Sequence, residues 1–166
     1  IGARVEEIDF SEPPTDALRD AIRAAIGEHK VLVFKGEPLP VAVFRAFARK
    51  FGPLQEHVLR KYRHDEFPDL SWLTNVAEDG SFDPFGVVRA STWHSDGSYT
   101  QDPPELGMLH AFEVPSRGGS TIFADMCNAY DTLDADMQSR MSGLTGLHRH
   151  GAGPGGSMYE NALDDD

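Results

Sequence analysis

The feature that most restricts how this chain can fold is a pair of amphipathic helical patterns with a short β-branched segment between them. The first helix is predicted to start at Pro13-Pro14-Thr15 and to end at Gly27. Its apolar residues recur at helical spacing: Leu18, Ala21, Ile22, Ala25 and Ile26. The apolar run at residues 31–34 predicts a buried strand. A second helix is predicted between Pro40 and Gly52, and its aromatic face is expected in the core: Phe44, Phe47, Ala48 and Phe51.

The rest of the chain predicts shorter elements separated by turns. Residues 56–69 are polar and predict a loop, and residues 77–90 contain Gly80, Pro84 and Gly86, as expected of a mobile loop beside a site. Strands are predicted at residues 71–76, 106–114 and 120–124, and a helix with a buried apolar stripe at residues 128–144. Helices that lead into short strands favour an α+β chain with a jelly-roll-like barrel, although periodicity alone does not distinguish this barrel from another mixed sheet.

Composition limits the classes of partner. The net charge is −12 and no cluster of Lys and Arg is present, which argues against nucleic acid or an anionic membrane but not against a small anionic substrate. No apolar stretch approaches the length of a membrane span, and residues 1–10 do not resemble a signal segment. Cys127 is the only cysteine, so a reducing, cytoplasmic setting is expected. The expected partner is a small molecule, and the possibility of a homo-oligomer stays open.

A histidine and an aspartate lie two residues apart in Trp93-His94-Ser95-Asp96-Gly97-Ser98-Tyr99. On an extended backbone, residues two apart point to the same side. An imidazole nitrogen and a carboxylate oxygen that point the same way provide two corners of a 2-His-1-carboxylate iron(II) site. By itself the pair is a weak signal, because two solvated loop side chains would give the same pattern.

Further motifs around this pair make the chain resemble a known family. Four of them occur in order: Trp-His-Ser-Asp-x-Ser-Tyr at 93–99, Pro-Pro at 103–104, Gly-Gly-x-Thr-x-Phe-Ala-Asp at 118–125 and Ala-Tyr-x-x-Leu at 129–133. With residues 31–36 and 47–54, which resemble the family's opening segments, the resemblance runs from residue 2 to about residue 148. The family is that of the taurine and 2,4-dichlorophenoxyacetate dioxygenases. The resemblance implies a double-stranded β-helix, or jelly roll, with flanking helices.

The resemblance also implies cofactors and residue roles. Iron(II) would be held by His94 and Asp96, and the hydroxyl of Thr121 would hydrogen-bond the carboxylate of 2-oxoglutarate. The implied reaction decarboxylates 2-oxoglutarate to succinate and CO₂ and hydroxylates a substrate C–H bond, with no catalytic residue beyond the metal ligands. The alternative for Thr121 is an ordinary strand threonine. Gly118 and Gly119 are expected to form a turn before that strand rather than to contact a ligand.

The substrate is predicted to be a small organic anion. His57 occupies the position at which taurine enzymes of the family place a histidine on the acidic group of the substrate, although an exposed loop histidine is the alternative. Those enzymes also carry an asparagine four residues before the metal histidine, where this chain has Ala90, so taurine itself is not expected. The His148-x-His150 pair near the end is not expected to bind the metal.

Family members continue well beyond this length and there supply the distal metal histidine and an arginine that clamps 2-oxoglutarate. Residues 1–166 are therefore predicted to be one partial dioxygenase domain, truncated at its C-terminus. The alternative is a non-catalytic binding module, a degenerate jelly roll without a complete metal triad. Metal-dependent and 2-oxoglutarate-dependent formation of succinate distinguishes these two possibilities.

Overall fold

The computed structural model describes residues 1–77, 79–84, 86 and 92–148. They fall into two compact units, of which the first comprises Ile1–Gly52 and Met108–Gly146, and the second Pro53–Gly107 with Leu147 and His148. The elements are β1 (Ala3–Val5), α1 (Asp16–His29), β2 (Leu32–Phe34), α2 (Val41–Arg49), a 3₁₀ turn (Arg60–Tyr62), α3 (Met126–Asp131) and α4 (Ala135–Met141). Among these described elements, no helix combines the length and the apolar character needed to cross a bilayer.

The first unit begins with a parallel pair of short strands joined by a helix. β1 pairs with β2, and Ala3 lies opposite Leu32 in the register. In α1 the side chain of Thr15 accepts a hydrogen bond from the backbone N–H of Leu18 at 3.2 Å, which satisfies one of the unpaired donors of the first turn. The positions of the two predicted helices and of the strand between them are therefore confirmed, with bounds shifted by one to three residues. The predicted burial of the strand was wrong, because Val33 is exposed and Leu32 and Phe34 are half-buried on a sheet of only two strands.

An aromatic cluster forms the core of this unit. The ring of Phe47 on α2 lies 5.3 Å from that of Phe10, 6.2 Å from that of Phe34 on β2 and 5.4 Å from that of Phe51. Ile22 on α1 is also buried. Edge-to-face and tilted aromatic packing of this kind adds to the gain from area burial. The predicted core role of the aromatic face of α2 is thus confirmed.

The strands predicted at residues 71–76, 106–114 and 120–124 do not form among the described residues. The first of these segments makes only isolated bridges, from Ser71 to Arg63 and from Val76 to Phe82, and the other two contain no strand. A strand exists only where a neighbour completes its hydrogen-bonded ladder, and β1 with β2 is the one ladder that the described residues contain. The prediction from apolar content was therefore wrong for these segments.

The helix predicted at residues 128–144 is divided into α3 and α4. Asp125 caps α3 by accepting from the backbone N–H of Asn128 at 3.0 Å, and Asp134 caps α4 by accepting from that of Met137 at 2.8 Å. The second cap starts a new helix inside the predicted span. The predicted buried stripe is also wrong, because Met137, Met141 and Leu144 are exposed.

His110 is a half-buried histidine of the first unit that lies between two aromatic rings. Its ring stacks on Phe44 at 5.1 Å and meets the edge of Phe112 at 4.5 Å. Its Nε2 accepts a hydrogen bond from the backbone N–H of Leu39 at 3.0 Å, so the neutral ring carries its proton on Nδ1. Nδ1 is buried and has no hydrogen-bond partner among the described residues. Burial lowers the pKa of His110 below its ordinary value of 6.5.

Acidification is expected to destabilise the fold through His110. The neutral ring is favoured in the folded state and protonates more easily in the unfolded chain, so its contribution to stability is complete above the unfolded pKa of 6.5 and is lost as the pH falls below it. Protonation would also turn Nε2 into a donor that faces the Leu39 N–H. Urea unfolding at pH 7.5 and pH 5.5 measures this loss. The control is His110→Gln, whose side-chain oxygen accepts a hydrogen bond without titrating, and an equal loss in that variant would contradict the assignment.

Candidate metal centre

His94 and Asp96 approach each other in the second unit. The distance from His94 Nε2 to Asp96 Oδ1 is 3.2 Å, and the two side chains are 49% and 78% exposed. The backbone here is irregular and continues into a turn at residues 96–99 rather than forming the expected extended strand. The convergence of the two side chains is thus as predicted, while the strand invoked to explain it is not present.

The separation of these two atoms fits two neighbouring ligands of one metal ion. First-row divalent metals bond to nitrogen and oxygen at about 2.1 Å, so two donors at right angles lie about 3 Å apart. His94 Nδ1 lies 2.7 Å from the backbone carbonyl oxygen of Thr92. A carbonyl only accepts, so Nδ1 carries a proton, and in the neutral ring Nε2 keeps the lone pair that a metal ion would bind. This carbonyl contact fixes the tautomer in the way that metal-binding histidines require.

The turn after Asp96 depends on a glycine. Both the backbone N–H and the hydroxyl of Thr100 donate to the carbonyl of Gly97, at 2.9 and 2.8 Å. Gly97 has a φ of 60°, and a Cβ at this position would lie 2.5 Å from Cδ of Pro104. Only glycine fits here without strain. The Pro-Pro motif, noted in the sequence only as a resemblance, therefore has a structural role, because Pro104 packs against the turn at residues 96–99.

His94 and Asp96 approach each other without a third candidate ligand of the same kind beside them among the described residues. No group of three or more His, Cys, Asp and Glu side chains suited to a metal ion occurs among residues 1–77, 79–84, 86 and 92–148. The role of the pair as metal ligands stays a prediction. His150 and Ala90, on which two predictions depend, lie outside the described residues.

His57 lies in the same unit as the metal pair, and its ring orientation is fixed. Its Nδ1 lies 3.0 Å from the backbone nitrogen of Leu59 and 3.3 Å from the carbonyl oxygen of the same residue. The shorter contact, in which Nδ1 accepts from the N–H, places the proton of the neutral ring on Nε2. The ring packs edge-on against buried Tyr62, with centroids 6.0 Å apart. His57 is thus an oriented Nε2–H donor rather than a fully exposed loop histidine.

Two residues that the sequence analysis missed hold the segment around His57. The guanidinium of Arg63 donates to the backbone carbonyl of His57 at 2.7 Å and pairs with Glu56 at 2.6 Å. The side-chain amide of Gln55 donates to the backbone carbonyl of Asp102 at 2.7 Å. The contact between Gln55 and Asp102 places the segment that carries His57 beside the backbone that follows the turn at residues 96–99. No motif marked either residue, because both act on backbone carbonyls that are distant in sequence.

Thr121 belongs to the first unit, where it is exposed on irregular backbone. Gly118 and Gly119 before it have φ values of 77° and 70°, the left-handed backbone that glycine tolerates, and they follow a bend at residues 116 and 117. Their place in a turn stays a prediction. A Cβ on Gly119 would lie 2.7 Å from Cγ of Pro115. The expected strand at Thr121 does not form, and its role towards 2-oxoglutarate stays a prediction.

Known proteins resemble this chain in sequence and in structure. The model of the family described as "Taurine catabolism dioxygenase TauD, TfdA family" matches residues 1–161. The chain belongs to this family. The resemblance recognised in the sequence is thereby confirmed, and with it the dioxygenase class of the relatives.

Individual relatives of this TauD/TfdA chain are longer than it is. An alpha-ketoglutarate-dependent 2,4-dichlorophenoxyacetate dioxygenase of Cupriavidus pinatubonensis is 36% identical over 157 residues, which cover 89% of this chain and 55% of the relative. A pentalenolactone F synthase of Streptomyces avermitilis is 31% identical over 169 residues, which cover 100% of this chain and 54% of that enzyme. The chain thus spans about half the length of these relatives.

A solved structure has a backbone fold similar to that of this chain. The crystal structure of AAD-2 in complex with Mn(II) and N-oxalylglycine superimposes with a TM-score of 0.71 at 29% identity, over 85% of this chain and 50% of that one. The chain therefore shares the fold of half of a TauD/TfdA dioxygenase. The metal in that complex and the 2-oxoglutarate dependence named for the relatives agree with the cofactors expected from the sequence.

Proposed function

We propose that the protein is an iron(II)- and 2-oxoglutarate-dependent dioxygenase that hydroxylates a small anionic organic substrate and releases succinate and CO₂. The observation that carries this proposal is the His94 to Asp96 pair. Its 3.2 Å separation suits one shared ion, and the Thr92 carbonyl leaves Nε2 as the donor. Hydrogen-bonded outer partners of this kind are usual for metal-binding histidines.

Each residue has a separate task in this proposal. His94 and Asp96 hold the iron, which when bound supplies the site at which 2-oxoglutarate and dioxygen react. Thr121 is proposed to donate a hydrogen bond to the 2-oxoglutarate carboxylate. The proposed fold is the double-stranded β-helix, of which residues 1–166 form one part. The third metal ligand and the arginine clamp are proposed to come from the part of the protein that corresponds to the rest of its relatives.

The preference for an anion rests on His57 and its surroundings. The Leu59 contact leaves Nε2 as the protonated nitrogen of the neutral ring, and Arg63 holds the backbone that carries it. Gln55, two residues before His57, donates to the backbone carbonyl of Asp102, which follows the turn at residues 96–99. The relative from Cupriavidus pinatubonensis is named for an aryloxyacetate, which carries such a group. A carboxylate, sulfonate or sulfate could accept the hydrogen bond.

Measured succinate release tests the proposed reaction. The full-length protein is assayed with iron(II), 2-oxoglutarate and a panel of aryloxyalkanoates, sulfonates and alkyl sulfates, beside neutral analogues of the same carbon skeletons. We expect at least one acid to stimulate succinate release, and none to do so with His94→Ala. Metal binding without succinate formation from any acid would favour the non-catalytic module instead.

We predict that His57→Ala raises the KM for the stimulating acid and changes kcat much less. Loss of one hydrogen bond to a charged group corresponds to about ten-fold in affinity. The matched control is His64→Ala, because His64 is another loop histidine of this unit whose Nδ1 accepts backbone N–H groups, from Glu66 and Phe67. An unchanged KM in His57→Ala, or an equal rise in both variants, would remove His57 from the substrate site.

A further inference from the structure

His148 makes a long-range contact with the turn at residues 96–99, which carries Asp96. Its Nδ1 lies 3.0 Å from Oγ of Ser98, a residue fifty positions earlier in the chain. Ser98 is two residues beyond Asp96 and belongs to the same turn at residues 96–99. Both residues belong to the second unit. Sequence reasoning had left His148 without a role.

The Asp96 carboxylate needs support of this kind because packing does not hold it. The side chain is 78% exposed, so its orientation depends on the backbone of the turn. Within the turn, Thr100 holds the Gly97 carbonyl, but Gly97 itself has no side chain that could restrict its backbone dihedrals. A hydrogen bond from outside the turn restricts Ser98 and hence the direction in which Asp96 leaves the backbone.

We infer that His148 is a positioning residue for the metal centre, which acts through Ser98 on the turn that carries Asp96. This inference rests on the proposed function, because it requires that His94 and Asp96 bind a metal. His148 contributes through Nδ1 and is not itself a ligand. Outer partners of metal ligands typically change metal affinity by about ten- to a hundredfold.

The test measures iron(II) affinity in the full-length protein, by anaerobic titration in the presence of 2-oxoglutarate and the visible charge-transfer band. We expect His148→Ala and Ser98→Ala each to weaken affinity about ten-fold, and the double variant to be no weaker than either single one. His148→Asn should retain near-wild-type affinity because its amide group can lie where Nδ1 lies. His148→Gln should not, because its amide group reaches the position of Nε2. His29→Ala, in the first unit, is the control and should leave affinity unchanged.

The outcomes separate this inference from the proposed function. If the wild-type protein forms no band, the metal centre itself is wrong and the inference falls with it. If the wild type binds iron but Ser98→Ala and His148→Ala bind equally well, only the inference is overturned. Rescue by Gln and not by Asn would also overturn it, since His148 would then act through Nε2. Thermal unfolding of each variant verifies that the affinities compare folded proteins.

Discussion

Replacement of His94 or Asp96 by alanine is expected to abolish tight iron(II) binding, with a loss of more than about a hundredfold in affinity for each variant. Each side chain would donate one bond to the ion, so removal of either leaves only one ligand of the pair. Among the described residues, no group of three or more His, Cys, Asp and Glu side chains offers another site. Anaerobic titration of the full-length protein with iron(II) and 2-oxoglutarate, followed by the charge-transfer band, measures the loss.

Matched substitutions distinguish loss of a ligand from general damage. Asp102→Ala removes a nearby exposed carboxylate, and its backbone carbonyl, which accepts from Gln55, is retained. His29→Ala removes a histidine in the other unit. Both should bind iron as the wild type does. Since the two side chains are 49% and 78% exposed, His94→Ala and Asp96→Ala should keep the wild-type thermal midpoint. An undiminished band in both ligand variants would contradict the metal assignment.

The approach of His94 and Asp96 could be predicted from sequence because their spacing alone brings the two side chains together. The side chains of His94 and Asp96 converge on irregular backbone as they would have on a strand. The incorrect strand prediction therefore did not affect the predicted convergence. What the motif could not predict were the hydrogen bonds around the pair and around His57. The backbone carbonyl of Thr92 contacts His94 Nδ1. Gln55 donates to the carbonyl of Asp102 and Arg63 to that of His57, from positions whose residue types indicate no such role. Such contacts follow from tertiary structure alone.

The difference between local signals and tertiary contacts also explains which helices and strands were predicted correctly. α1, β2 and α2 follow from local periodicity, caps and stop signals, and their positions agree with the sequence. The segments at 106–114 and 120–124 needed partner strands, which local pattern cannot supply. The division between α3 and α4 was marked by a local signal, the N-cap Asp134, but the apolar spacing across it suggested one continuous helix.

The apolar residues of these two segments and of the helices after them remain exposed in the first unit. They are Leu109, Phe112, Val114, Ile122, Phe123, Met126, Tyr130, Met137, Met141 and Leu144. Folded proteins rarely leave an apolar surface of this extent in water. The relatives are about twice as long as this chain. We therefore expect the remaining part of a polypeptide of that length to cover this surface by pairing with residues 106–114 and 120–124.

Leu109→Asp and Ile122→Asp in the full-length protein are expected to lower the free energy of unfolding by about 3 kcal/mol or more each, although the two side chains are 66% and 73% exposed here. Burial of either residue under a completed barrel would be lost, and an unpaired carboxylate would be forced into an apolar layer. Ser116→Asp adds the same charge at the turn between the two segments and should cost less than about 0.5 kcal/mol. Urea unfolding with a common m-value measures all three.

If the two apolar substitutions cost no more than Ser116→Asp, the surface is open to solvent in the whole protein. A jelly roll closed over these segments would then be wrong, whereas the metal pair in the second unit would stand unaffected.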